Sequence, residues 1–150
     1  MKIESSAFQS NKKIPSLYTC DGEDISPELI FSDVPKDAQS LVLVVEDPDV
    51  PKIIREDGMW NHWLVWNMSP NLDGIGEGEI PQGIVGKNTK GDFRYGGPCP
   101  PDKEHRYFFK LYALDIILDL SENASKEKLQ RVLGGHIIEE AELIGLYNRI

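Results

Sequence analysis

Apolar positions in the first two-thirds of the chain recur with the short periods of β-strands. Ile3 to Phe8 alternates apolar with polar residues, and Leu29-Ile30-Phe31 is a brief apolar run between turn signals. Ser40 to Glu46 is a compact aliphatic run, the pattern of a strand buried on both faces. Trp63 to Met68 predicts another strand, stopped by Ser69-Pro70-Asn71. Arg106 to Asp115 predicts the longest, carrying Tyr107, Phe108, Phe109 and Tyr112. The period then lengthens. Ser125 reads as a helix N-cap, Leu129, Val132 and Leu133 form one apolar face, and Gly134-Gly135 ends the helix. A second helix is expected over His136 to Tyr147, where Ile137, Ile138, Ala141, Ile144 and Leu146 are apolar. These elements predict a mostly-β, α+β domain with C-terminal helices packed on a sheet.

The chain's 150 residues, without repeats or low-complexity tracts, suit a single domain over 1–150. Hydrophobic residues make up 40%, enough for a sizeable core. Sixteen Lys and Arg against 25 Asp and Glu leave a net charge of −9, which argues against nucleic acid and anionic membranes as partners. The longest aliphatic run, Leu41 to Val45, is far too short to span a bilayer, so no stable membrane insertion is expected. Met1 to Ser6 has no apolar stretch of the kind a secretory signal needs, which predicts a cytoplasmic protein. Cys20 and Cys99 are accordingly read as thiols, with a bond between them left open and zinc disfavoured by their isolation. Monomer and homodimer both remain compatible with the pattern.

Long Gly- and Pro-rich stretches, Asp73 to Gly83 and Gly86 to Pro101, exceed the usual loop length of about 4–6 residues. The glycines of Gly74 to Gly78 are followed by Pro81 rather than a helix, so a surface turn is expected there, not a phosphate loop. Chemistry concentrates at strand ends. Asp47 opens the stiff turn Asp47-Pro48-Asp49-Val50-Pro51, in which Asp49 could cap the turn. His62 follows Trp60 and Asn61 into a strand, and alternation puts Trp60, His62, Leu64 and Trp66 on one face. His105 heads the longest strand after Gly96-Gly97-Pro98-Cys99-Pro100-Pro101.

Imidazole N–H groups, the Arg106 side chain and glycine amides at one place would suit a small oxyanion, and a carboxylate beside one imidazole would fix its tautomer. If the imidazoles bind as cations, affinity should weaken as pH rises past their pKa. Two enzyme readings compete: a metal triad of Asp47, His62 and His105, and acid–base hydrolysis by the same groups. No Gly-x-Ser-x-Gly elbow accompanies them. Cys99, between prolines, reads as a packing thiol, and His136 reads as a first-turn helix residue.

Asp-Pro-Asp-x-Pro, Trp-x-His, Gly-Gly-Pro and His-Arg-Tyr, in this order, resemble the phosphatidylethanolamine-binding or Raf-kinase-inhibitor-like family in its short microbial form. Tyr18 to Gly22, Ser26-Pro27 and Ala141-Glu142-Leu143 extend the match nearly end to end. The resemblance implies a central antiparallel β-sheet, a second smaller sheet and C-terminal helices. It implies a pocket for a small phosphorylated or carboxylated ligand, such as a phospholipid head group, formed by Asp47, Trp60, His62, Gly97, Pro98, His105 and Tyr107. It implies no catalytic or metal-ligating residue and no cofactor. A cis bond near Pro48 or Pro98 would suit such turns. A regulatory role is expected, with inhibition of a kinase or protease through the pocket as the alternative. Cys99 stands where eukaryotic members carry another proline, and kinase regulation is not carried over. Arg106, pointing away from His105 and Tyr107 on its strand, is expected to form a structural ion pair.

Overall fold

A computed structural model describes residues 1–149. Among the described residues, nine strands, β1 (Lys2–Glu4), β2 (Lys12–Lys13), β3 (Leu29–Ser32), β4 (Ser40–Asp47), β5 (Trp60–Met68), β6 (Gly74–Ile75), β7 (Ile84–Val85), β8 (His105–Leu114) and β9 (Ile137–Tyr147), accompany a single α-helix, α1 (Lys126–Leu133), which lies between β8 and β9. The larger sheet has the order β2-β9-β8-β4-β5-β7, and the smaller one β1-β3-β6. All pairs are antiparallel except β2 with β9, which run parallel.

Every residue of β4 is buried, because β5 and β8 flank it and both its faces are covered. On one face Leu41, Leu43, Val45, Trp63, Val65 and Phe109 meet Ile3, Leu29, Phe31 and Ile75 of the smaller sheet. On the other, Val42, Val44, Leu64 and Trp66 pack under Leu129 and Leu133 of α1 and under Leu118 and Leu120. The order is small sheet, large sheet, helix. Ser125 caps α1 as expected: its hydroxyl accepts the Lys128 N–H at 3.1 Å. Lys126 and Lys110 clamp the buried Glu46 from the helix side, Lys110 at 2.6 Å.

The segment expected as a second helix is the strand β9. Its apolar residues at 137, 138, 141 and 144 mimic a helical stripe, but Leu143, Gly145 and Tyr147 follow period two and turn inward. Pairing with β8 along its length decides the matter, since β8 would otherwise present an unpaired edge. Gly145 matters here. A Cβ there would lie 2.5 Å from the buried Ile14 side chain and 2.9 Å from the Phe8 ring, so glycine leaves room for both. Gly74 and Ile75, expected in a surface turn, pair with β3 instead.

Cys20 and Cys99 form a disulfide, with Cα atoms 5.5 Å apart, so the expectation of thiols fails. The fold brings two loops 79 residues apart into bonding distance, which no local pattern reveals. Both cysteines are exposed, against the packing role read for Cys99. Peptide bonds at Pro48 and Pro98 are trans, as are all those among the described residues, so the cis expectation also fails. The first turn takes its stiffness from Asp47, whose Oδ1 accepts the Asp49 N–H at 2.7 Å.

Candidate ligand-binding site

Adjacent strand ends gather the candidate residues. Asp47 ends β4, Trp60 and His62 begin β5, and His105 and Tyr107 begin β8; β4 lies between the other two. Asp47 Oδ2 lies 2.6 Å from His105 Nδ1, both groups buried. A carboxylate only accepts, so Nδ1 carries the proton and the ring is fixed in orientation. The opposite nitrogen, Nε2, donates to Asp102 Oδ1, also at 2.6 Å. Burial works against a charged ring, yet the two carboxylates outweigh it and hold the His105 pKa above the usual imidazole value. The paired carboxylates therefore favour the cationic form of His105.

His62 reaches the same side by a β-bulge. Val45 pairs with Trp63 and Glu46 with Asn61, which leaves His62 as the extra residue. Strict alternation would have set it beside Leu64 and Trp66 under the helix; the bulge turns it to Tyr107 instead. The two rings meet edge to face at 5.3 Å, and Tyr107 stacks on His105 at 6.4 Å. His62 Nδ1 lies 2.7 Å from the carbonyl of Gly96, so it is the donating nitrogen. Burial depresses the His62 pKa to about 4, and this ring is neutral at neutral pH. The condition that the imidazoles be cations is thus favoured for His105 and not for His62.

Neither glycine amide is available for an anion, contrary to expectation. Gly96 N–H donates to the His62 carbonyl at 3.0 Å, and Gly97 N–H to Asp24 Oδ1 at 2.7 Å. Gly97 serves packing: a Cβ would fall 2.4 Å from the Tyr18 carbonyl oxygen. Pro98 is buried and its carbonyl accepts the Cys20 N–H, beside the disulfide. Trp60 pairs with Asp47 across the ladder, half-buried, with the Arg55 guanidinium 5.9 Å from its ring.

Two buried polar atoms at this place, His62 Nε2 and the Tyr107 hydroxyl, have no hydrogen-bond partner among the described residues. Burial drives the Tyr107 phenol well upward, so it remains a donor. Arg106 points away and holds Asp49 in a two-pronged ion pair, as expected of it, with contacts of 2.8 and 2.9 Å. Asp102 was missed in the sequence. Its signal was a carboxylate three residues before His105, just after two prolines. A cavity of about 580 Å³ opens elsewhere, around Trp63, Phe93 and Arg94, and none of the seven candidate residues lines it.

The profile of the phosphatidylethanolamine-binding protein family matches residues 4–148, and the chain belongs to that family. A UPF0098 protein of Chlamydia trachomatis is 50% identical over 149 residues, covering 99% of both chains. One from Methanothermobacter thermautotrophicus is 47% identical over 155 residues, again with 99% of each covered. A crystal structure of a putative phosphatidylethanolamine-binding protein homolog from Chlamydia trachomatis superimposes with a TM-score of 0.96 at 50% identity, over 99% of this chain and 97% of that one. YbcL of E. coli, described as a new member of the mammalian family, matches at 0.89 and 27% identity, over 99% and 98%.

Proposed function

We propose that this protein binds a small phosphate or carboxylate group at the ends of β4, β5 and β8, in a regulatory rather than catalytic role. One observation carries the reading: Asp47 holds His105 so that its Nε2–H is offered to a carboxylate, and in this structure Asp102 supplies it. Asp102 is the exposed partner of the pair, on the bend before β8, and an incoming oxyanion takes the place of its carboxylate. Tyr107 adds a second donor, and Trp60 walls the entrance beside Asp47. The family's name points to phosphoethanolamine as a ligand to try first. A metal triad fits less well, because both nitrogens of His105 already face carboxylates and Asp47 is engaged by one of them.

Calorimetric titration with phosphate and with phosphoethanolamine tests this. Saturable binding is expected in the wild type, lost in His105→Ala and tightened in Asp102→Ala, where the internal competitor is gone. Binding that survives His105→Ala unchanged would overturn the assignment.

A further inference from the structure

His62 does something an ordinary anion site does not. Its Nδ1–H is committed to the Gly96 carbonyl, so Nε2 presents a bare lone pair. That nitrogen is buried and unpartnered among the described residues, as is the Tyr107 hydroxyl on the ring packed edge-on against it. One atom can only accept and the other can donate. A buried acceptor without a donor is costly, and a bound oxyanion lacking protons would set its own lone pairs against it. The charge balance runs the same way. Asp47 and Asp102 place two negative charges against the one positive charge of His105, while Asp49 is neutralised by Arg106.

We infer that, between inorganic oxyanions of like size and charge, the site prefers the one that still carries a proton, hydrogen phosphate, and that His62 Nε2 accepts the hydrogen bond from that P–OH. The inference rests on the anion-site reading above. In the complex Tyr107 and His105 donate to the unprotonated oxygens, and His62 alone receives. No proton is transferred: the ligand keeps its own, and burial keeps the ring neutral. The other charged or titratable groups near His62 and Tyr107 are His105, Asp47 and Asp49 on one side, Lys126 from α1, and Tyr95 and Tyr147. Among them only His105 is a second imidazole, and its two carboxylates raise its pKa and favour its charged form.

Phosphate and sulfate separate the possibilities. At about pH 7.5 both are tetrahedral dianions of similar size, but only phosphate retains a proton. Phosphate is expected to bind at least about tenfold more tightly than sulfate, the scale set by one unpaired buried group. Nitrogen NMR of the phosphate complex is expected to show His62 still protonated on Nδ1 alone, a readout that needs no variant. In His62→Asn the preference should collapse while phosphate binding persists through His105 and Tyr107. Equal affinities for the two anions, or an imidazolium at His62 in the complex, would overturn this inference and leave the anion site standing. Failure of both anions to bind would overturn both.

Discussion

Lowering the pH should cost this protein more stability than it costs the His62→Asn variant. The Asn amide can keep the hydrogen bond to Gly96, so the perturbation is mainly the loss of a titratable ring. In the fold His62 has a pKa of about 4, while in the unfolded chain an imidazole titrates near 6.5. The unfolded state therefore binds more protons as the pH falls, and stability declines with it. The contribution is fully present above about pH 6.5 and is lost downward through pH 4. That gap of about 2.5 units corresponds to about 3 kcal/mol in total, of which about 1 is lost by pH 5.5 and roughly 2–3 by pH 4.5. His105 acts with the opposite sign. Its raised pKa stabilises the fold at low pH, and that stabilisation is lost as pH rises through the folded value. Because His105 is present in both proteins, it cancels in the difference. Urea unfolding of the two proteins at several pH values, extrapolated to water, gives that difference directly. Curves that stay parallel from about pH 7.5 to 4.5 would refute the neutral, buried assignment of His62, and with it the acceptor role of Nε2.

Reducing the Cys20–Cys99 bond removes a constraint spanning 79 residues, so about 2–4 kcal/mol of stability should go, and dithiothreitol should leave a Cys20→Ser/Cys99→Ser protein unaffected. A wild-type urea midpoint that ignores the reductant would contradict this. Asp47→Asn should lower the His105 pKa, by replacing the charged partner of Nδ1, and should shorten the pH range over which phosphate binds. An NMR titration of His105 that is unmoved by the change would show that Asp102 alone sets its charge. Gly97→Ala should destabilise by about 1–3 kcal/mol, since the new methyl meets the Tyr18 carbonyl and its neighbours rather than a yielding side chain; a midpoint within error of wild type would argue otherwise.

Local pattern was sufficient wherever a single element decides its own conformation. Ser40 to Glu46 could only be a strand buried on both faces, and the cap at Ser125 with the stripe of Leu129 and Leu133 could only be a short amphipathic helix. The residues gathered at the candidate site were legible for a similar reason: few strand ends in this chain carry an Asp or a His, and they are beside stiff Pro and Gly turns. Residue type and position named Asp47, His62 and His105 without saying which of them touch. Arg106, first counted among the donors, was set aside with the family resemblance, and alternation on a regular strand gives the reason.

What escaped the sequence depends on partners far away along the chain. The apolar residues of 137–147 fit a helix and a strand about equally, and the free edge of β8 chose the strand. Alternation sent His62 beneath the helix, but a bulge set by pairing with β4 returned it to Tyr107. Its tautomer belongs to a carbonyl 34 residues on, and the charge of His105 to one carboxylate at the end of β4 and another on the bend before β8. The disulfide needed two loops 79 residues apart to meet. The sequence by itself therefore determined which segments are buried and which side chains could carry chemistry, since burial and backbone preference act within a few residues. Tertiary structure decided register, protonation and pairing, because hydrogen bonds and charges act on whatever the fold brings within a few ångströms.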